Sequence, residues 1–220
     1  MYLPFGTLKR AAVQKSGPDG TARGPILGAA IRVFSRQGYA GTSVQDILRE
    51  VGVSKPALYY HFESKAGLFR AILDHAFDEC LGLMKAGIAG LPPGEQQLVA
   101  VAHAMFRFAS SEADLTRLVF ASLFAAPGEV PAECMDPSRR RRNFELVREL
   151  LGQAREAGVV ARKADPDDLA HAFLGSISHR IRSQLLTGQG TLDLVLARRL
   201  VDLFLDGARP RPLPAKKSHP

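Results

Sequence analysis

A dense group of polar and aromatic side chains occupies residues 51–65, with the sequence VGVSKPALYYHFESK. Lys55 and Lys65 carry positive charge, and the adjacent Tyr59 and Tyr60 carry aromatic rings with hydroxyl groups. Cationic and hydroxyl groups of this kind contact phosphates and base edges in nucleic-acid complexes. Two other interpretations remain open at this point, because the rings could belong to a hydrophobic core and the polar groups to a catalytic site.

The rest of the sequence offers little that could perform catalysis. It contains no G-x-S-x-G, H-E-x-x-H, Walker or G-x-G-x-x-G pattern. His75 and Glu79 are four residues apart and could form half of a metal site, but no third ligand accompanies them. We therefore predict no catalytic residue, no metal, no cofactor and no enzyme activity.

The charge of the chain favours an anionic partner. The formal net charge is +7 at pH 7 and the pI is about 9.7. Residues 1–62 hold eight Lys and Arg against three Asp and Glu, a net of +5. The positive charge is therefore concentrated in the same part of the chain as the aromatic segment.

The expected location is the cytoplasm, without membrane contact. No apolar run approaches the ~18 residues of a transmembrane helix, and the N-terminus lacks the pattern of a signal peptide. Cys80 and Cys134 have no metal-ligand spacing and are expected to be separate thiols, with any redox role left open.

The elements that must position these residues are helices. Nearly every segment between the two ends of the chain has apolar side chains at three- and four-residue steps. We predict an all-α fold of about nine helices. Gly38 and Gly52 are expected to end the first two helices, and Ser54 is expected to cap the third. Thr42 and Gln45 fit a capping box at the start of the second helix.

Further start signals divide the rest of the chain. Ser64 is expected to start the fourth helix, and Asp136-Pro137 and Asp165-Pro166 are expected at the N-termini of two later helices. The predicted organisation is a disordered tail over 1–22, a helix-turn-helix domain over 23–67, a ligand-binding and dimerisation domain over 68–208, and a second disordered tail over 209–220.

Residues 42–62 have the layout of a helix-turn-helix. A helix of about ten residues is followed by a glycine-containing turn and a short second helix, which in this motif enters the DNA major groove. Val53 and Leu58 can hold the two helices together, so the exposed face carries the lysine, both tyrosines and His61. The same shape also occurs in proteins that never bind DNA, so a packed or protein-binding module remains an alternative.

Residues 26–72 resemble the DNA-binding module of tetracycline-repressor-type (TetR family) transcription regulators. The resemblance is carried by AAIRVFSRQGYAGTSVQDILREVGVSKPALYYHFESKAGLF, in the family's order and spacing. It implies a three-helix N-terminal module followed by a larger helical domain for ligand binding and dimerisation. This chain has Leu48 and Val51 where the family often has alanine, which raises a question about the local helix packing.

The resemblance also implies roles for individual residues. Thr42 and Tyr60 would bind backbone phosphates, and His61 and Lys65 would bind further phosphates. The residues implied to face base edges or groove walls are Lys55, Pro56, Ala57 and Tyr59. The full set of predicted DNA contacts is Thr42, Ser43, Ser54, Lys55, Pro56, Ala57, Tyr59, Tyr60, His61 and Lys65.

The last two helices predict a homodimer. The final helix is apolar around most of its circumference, so it needs a second surface besides its own core. A four-helix bundle with a second subunit would supply that surface. The predicted interface residues are Phe173, Ile177, Ile181, Leu196, Leu200 and Phe204.

A ligand pocket is expected among the fourth to eighth helices. Its candidate residues are His103, Phe106, Arg107, Phe120, Phe124 and His171. Together these features predict a ligand-responsive DNA-binding regulator, and by resemblance a repressor that a small-molecule effector releases from a palindromic operator in double-stranded DNA. The alternative is a small helical enzyme or a protein-interaction module without DNA binding.

Overall fold

The computed structural model describes residues 22–208 of the 220-residue chain. Within that part the fold is all-α, as predicted, with nine α-helices, one 3-10 turn at Ala132–Cys134 and no β-strand. The helices are α1 Arg23–Gly41, α2 Val44–Val51, α3 Lys55–Phe62, α4 Lys65–Ile88, α5 Glu95–Ser111, α6 Ala113–Leu123, α7 Pro137–Glu156, α8 Pro166–Thr187 and α9 Leu194–Ala208. The two predicted tails lie outside the described residues, apart from Ala22. None of these nine helices combines the length and the apolar character needed to cross a bilayer.

Two glycines shape the N-terminal helices. Gly38 has φ 69° and interrupts the helical path of α1 before its last turn. Gly52 has φ 75° and ends α2, and its N–H donates to the carbonyl of Leu48 at 2.8 Å. Both angles lie in the left-handed region that a Cβ disfavours, which is why glycine stands at these helix ends.

The helix caps agree with the sequence except at α2. Ser54, Ser64, Asp136 and Asp165 each accept a backbone hydrogen bond at the start of their helices, as predicted. The predicted capping box of Thr42 with Gln45 is wrong by one residue.

The α2 capping box is formed by Ser43 and Asp46. The Asp46 N–H donates to Ser43 Oγ at 3.1 Å, and the Ser43 N–H donates back to the Asp46 carboxylate at 3.0 Å. Thr42 is not available as the cap because its own hydroxyl donates to the carbonyl of Gly38 at 2.7 Å. The kink in α1 therefore shifts the start of α2 by one position.

Two clusters of buried side chains form the core. The N-terminal cluster joins α1, α2 and α3 to the first half of α4, and the C-terminal cluster joins the second half of α4 to α5, α7, α8 and α9. The N-terminal cluster also contains four side chains from later in the chain, which are Phe108, Leu115, Leu118 and Cys134. The domain boundary proposed at residues 67 and 68 is therefore crossed by a continuous hydrophobic core.

Candidate nucleic-acid interface and ligand cavity

The helix-turn-helix of α2 and α3 turns one face inward and one outward. Ile47, Leu48, Leu58 and Phe62 are buried in the N-terminal cluster. Leu48 thus finds room in this core although the family often has alanine at its position, and Val51 is half-buried beside it. Packing of these side chains against α1 and α4 fixes the orientation of α3 and leaves its opposite face exposed.

The outward face of α3 carries the residues that the sequence singled out. Tyr60 is 80% exposed and Tyr59 is 37% exposed. Lys55 Nζ lies 5.8 Å from the ring centroid of Tyr59, one helical turn away, while the Tyr60 ring lies against His61 with centroids 5.1 Å apart. Consecutive residues on a helix point about 100° apart, so Tyr60 points away from the face that Tyr59 shares with Lys55. Ser54, Pro56 and Ala57 lie at the start of the same helix.

Three arginines of α1 and α2 are engaged in ion pairs within the module. Arg32 and Arg36 bind the two carboxylate oxygens of Glu50 at 3.0 and 3.1 Å, and their hydrogen bonds lower the pKa of Glu50 below its ordinary value. Arg49 pairs with Asp46 at 3.1 Å. No carboxylate of residues 22–208 pairs with Lys55. Lys55 is therefore the α3 cation most available to a phosphate or base.

Four of the predicted contacts are engaged inside the protein, and one of them is Ser54, which caps α3 by accepting the Ala57 N–H at 3.4 Å. Thr42 is only 2% exposed and its hydroxyl is bonded to Gly38. Ser43 caps α2, and its hydrogen bonds lower the pKa of Asp46. Lys65 Nζ donates to the carbonyls of Tyr39 and Thr42 at 2.9 Å each and lies 4.2 Å from the Tyr39 ring centroid. DNA contacts by these residues stay predictions.

A cavity of about 890 Å³ lies among α4, α5, α6, α7 and α8. This volume is in the range of sites for drug-sized molecules. Phe120 and His171, two of the six predicted pocket residues, line it. The other four do not: Phe106 is fully buried in the C-terminal cluster, Phe124 is 71% exposed beneath the Arg182 guanidinium, and His103 and Arg107 lie outside the lining.

Most of the cavity wall was missed by the sequence reasoning. The residues not predicted there include Phe77, Cys80, Met105, Asn143, Phe144 and Leu174. Each occupies an ordinary apolar or mixed position on its own helix, so local periodicity gives no sign that they meet. Only a joint comparison of the inward faces of α4, α7 and α8 could have indicated that these residues line one cavity.

The predicted dimer residues lie mainly in the core of one protomer. Phe173, Ile177, Ile181 and Leu196 are 5% exposed or less, and Leu200 and Phe204 are half-buried. The apolar side chains that α8 and α9 present to solvent are Leu186, Leu194, Val195 and Leu203. These helices do expose apolar side chains, as the sequence indicated, but on a different face from the one that carries the predicted interface residues.

The described residues contain no group of three or more His, Cys, Asp or Glu side chains that could hold a metal ion. Cys80 and Cys134 are both free thiols, as expected. Burial raises the pKa of the Cys80 thiol to about 12, so it stays protonated at neutral pH. Cys134 is buried in the core, whereas Cys80 is half-buried in the wall of the large cavity.

Comparison with known proteins decides the family. Residues 26–72 match the family model "Bacterial regulatory proteins, tetR family". The activator FasR of Mycolicibacterium smegmatis is 32% identical over 154 residues, which are 67% of this chain and 65% of FasR. This chain belongs to the TetR family. It is a DNA-binding transcriptional regulator, as the sequence predicted.

Two further proteins show where in the chain the similarity lies. IcaR of Staphylococcus aureus, a negative transcriptional regulator of a biofilm operon, is 42% identical over 53 residues, 24% of this chain and 28% of IcaR. FadR of Bacillus subtilis, solved in complex with stearoyl-CoA, has a TM-score of 0.75 at 16% identity and covers 84% of this chain and 98% of FadR. At that identity FadR shows only that the two proteins share a fold, which includes the C-terminal helices of this chain.

Proposed function

We propose that this protein is a homodimeric repressor that binds a palindromic operator through α3 and leaves it when a small molecule fills the cavity. The observation that carries the proposal is the outward face of α3, where Tyr60 is 80% exposed and Lys55 has no carboxylate partner between residues 22 and 208. Exposed aromatic and cationic groups on the second helix of a helix-turn-helix suit contacts in a major groove.

A second copy of the chain would cover the apolar face of α8 and α9. Leu186, Val195 and Leu203 are 79%, 71% and 70% exposed, which is costly for leucine and valine in water. A two-fold arrangement of α8 and α9 would bury these side chains in a four-helix bundle. The two α3 helices of such a dimer would read two half-sites.

The cavity is coupled to the DNA-binding helices through α6. Val119, Phe120 and Leu123 of α6 line the cavity, while Leu115 and Leu118 of the same helix belong to the N-terminal cluster that holds α1. A ligand that displaces α6 therefore also moves the support of the helix-turn-helix. The ligand lowers DNA affinity only if it binds more tightly to the conformation that cannot span both half-sites.

Repression is the proposed direction of control, because a dimer bound across a promoter excludes the polymerase. Relatives of this chain include both activators and repressors by name, since FasR is an activator and IcaR is a negative regulator. Transcription from the protein's own promoter, reconstituted with and without the protein, decides the matter. A fall in transcript on addition of the protein supports repression, and a rise overturns it.

DNA binding is tested by gel retardation with the promoter fragment at several salt concentrations. We expect saturable, sequence-selective retardation whose affinity falls steeply with salt, because phosphate contacts release counterions. Tyr60→Phe should weaken binding to all sequences, while Tyr59→Ala should change which bases are preferred. Phe124→Ala is the matched control, since Phe124 is an exposed aromatic side chain outside α2 and α3. No retardation even at low salt would refute the proposal.

A further inference from the structure

Most of the cavity wall is apolar. Its aromatic and aliphatic lining includes Phe77, Met105, Phe108, Phe120, Phe144 and Leu174. A space with such walls favours an apolar chain or ring system over a polar ligand, because water gains little by occupying it. Polar side chains reach the cavity from two helices. Asp167, His171 and Ser178 come from α8, and others come from the first two turns of α7, where four arginines follow one another at 139–142.

Three of these four arginines are already neutralised. Arg139 pairs with Asp74 and Asp78, and Arg142 pairs with Asp78. Arg141 pairs with Glu145 at 3.3 Å. These contacts join α7 to α4 and to its own next turn, so they leave little positive charge for a ligand.

Arg140 differs from its three neighbours. No carboxylate in the described part of the chain pairs with its guanidinium. It lines the large cavity and also a smaller adjoining cavity of about 240 Å³, and so stands at the junction of the two. Arginine binds carboxylate and phosphate oxygens in a forked geometry and remains charged at any working pH.

The acidic groups nearby do not cancel the charge of Arg140. Glu145 and Asp167 line the large cavity, and Arg148 holds them at 2.6 and 3.6 Å. Asp136 lines the smaller cavity and caps α7 by accepting the Ser138 N–H at 2.9 Å. Asp74 also lines the smaller cavity, and its carboxylate would repel an anion there. An anion is therefore best accommodated at the junction, on the side of the large cavity.

A second polar group faces the same cavity one turn along α7. The amide of Asn143 donates through Nδ2 to the carbonyl of Phe77 at 3.2 Å, which fixes its orientation. Its Oδ1 is buried, and no donor within residues 22–208 reaches it. A buried acceptor without a partner is unfavourable, so a ligand that supplies an N–H or O–H group there removes that penalty.

We propose that the cavity binds an amphipathic anion, with its apolar chain among the aromatic side chains, its oxyanion head on Arg140 and a hydrogen-bond donor next to the head on Asn143 Oδ1. This inference rests on the proposed function, because it names the chemical class of the effector for the same cavity. The oxyanion is a carboxylate or a phosphate, and the choice of probes separates these two sources.

Isothermal titration of the full-length protein tests the head group. The probes are dodecanoate, dodecyl phosphate and dodecanol, each below its micelle-forming concentration. We expect the anions to bind at least about tenfold more tightly than the neutral alcohol, because only they pair with arginine. The tighter of the two anions identifies the source of the oxyanion. Equal affinity for dodecanol and both anions overturns the proposal.

A matched pair of probes tests the donor. N-dodecanoylglycine carries an amide N–H beside its carboxylate, whereas N-dodecanoylsarcosine has a methyl group in place of that hydrogen. We expect the glycine compound to bind several-fold more tightly to the wild type and the difference to vanish in Asn143→Ala. An equal preference in both proteins shows that Asn143 does not receive the donor.

Arg140→Ala and the control Arg162→Ala remove one charge each. Arg162 is exposed between α7 and α8 and lines neither cavity. We expect Arg140→Ala to lose about tenfold in anion affinity and Arg140→Lys to lose less. Arg162→Ala should keep the wild-type anion affinity, and all three variants should keep the wild-type melting temperature.

Retardation of promoter DNA by the same preparations separates this inference from the proposed function. Ligand-sensitive DNA binding with wild-type anion affinity in Arg140→Ala refutes the anion site and leaves the regulator intact. Absence of DNA binding in every preparation refutes the regulator itself.

Discussion

At the scale of single residues, two lysines ten positions apart have opposite surroundings. Lys55 is exposed on α3 and stacks loosely on Tyr59. Lys65 is half-buried and holds the carbonyls of Tyr39 and Thr42, which joins the start of α4 to the end of α1. One lysine is therefore placed to bind a partner and the other to hold the module together.

Replacing each lysine by methionine separates these two tasks. We expect Lys65→Met to lower the free energy of unfolding by about 2 kcal/mol, since it removes two hydrogen bonds from a charged donor. Lys55→Met should change that free energy by less than about 0.5 kcal/mol but reduce the salt slope of DNA binding by about one. Urea denaturation and salt-dependent retardation measure the two effects. A normal stability of Lys65→Met with a reduced salt slope would instead make Lys65 a phosphate contact.

The Cys80 thiol provides a prediction about pH. Its pKa is raised by burial from an ordinary value of 9.0 to about 12, so the native protein holds less thiolate than the unfolded chain at every pH below 12. We expect iodoacetamide to alkylate Cys80 at pH 8 at least about a hundredfold more slowly in the native protein than in urea, as read by peptide mass spectrometry. Because the folded pKa is the higher one, this thiol contributes stability below pH 9 that is lost as the pH rises toward 12. Equal alkylation rates would contradict its burial.

At the scale of elements, the close approach of α3 and α4 depends on one glycine. A Cβ on Gly67 would fall well inside van der Waals contact with the carbonyl oxygen of Phe62, the last residue of α3. The turn between the two helices is tight, and Glu63 within it has a positive φ of 58°. The orientation of the DNA-reading helix relative to α4 is therefore set by a position that admits no side chain.

Gly67→Ala should destabilise the protein and Gly82→Ala should stabilise it. Both glycines lie in α4, but nothing lies within 4 Å of a Cβ at Gly82. Alanine there gains helix propensity of about 0.5–1 kcal/mol, whereas at Gly67 the clash costs about 1–3 kcal/mol. Thermal melts of the two variants give the comparison. A stabilised Gly67→Ala variant would mean that α3 and α4 can separate without cost.

The elements themselves were largely predictable from local chemistry. Ser54, Ser64, Asp136 and Asp165 start helices because their side chains accept backbone hydrogen bonds, and such signals are readable in the sequence. The misplaced cap at α2 has a conformational cause, since the Thr42 hydroxyl donates to the carbonyl of Gly38, where the path of α1 is kinked. The spacing of cap residues alone does not show which of two adjacent hydroxyls the backbone kink at Gly38 has already engaged.

At the scale of the whole molecule, the exposed apolar face of α8 and α9 predicts the assembly. We expect Leu203→Glu to convert a dimer into monomers in sedimentation equilibrium, because a carboxylate would be buried unpaired at the interface. Tyr60→Glu is the matched control, with the same new charge at a similarly exposed site. It should remain dimeric and lose DNA binding. A dimeric Leu203→Glu variant would move the interface elsewhere.

The cavity could not be predicted because it belongs to no single helix. Phe120 and His171 were chosen as aromatic and polar side chains in a helical region, but so were Phe106 and Phe124, which are respectively buried in the core and exposed. Which of these alternatives occurs depends on the rotation of α5 and α6 against α4 and α7. The exposed face of α3 was easier to predict because α2 and α3 are adjacent in sequence and carry their own turn.

The N-terminal cluster has a consequence for protein engineering. Leu115 and Leu118 of α6 and Cys134 of the 3-10 turn close the core beneath α1 to α4. A chimera that grafts residues 23–67 onto another sensor would leave that core open, so its junction must preserve α4 through Ala76 together with matching side chains on α6. The helix-turn-helix domain can therefore be exchanged between proteins only when the buried side chains of the N-terminal cluster are transferred with it.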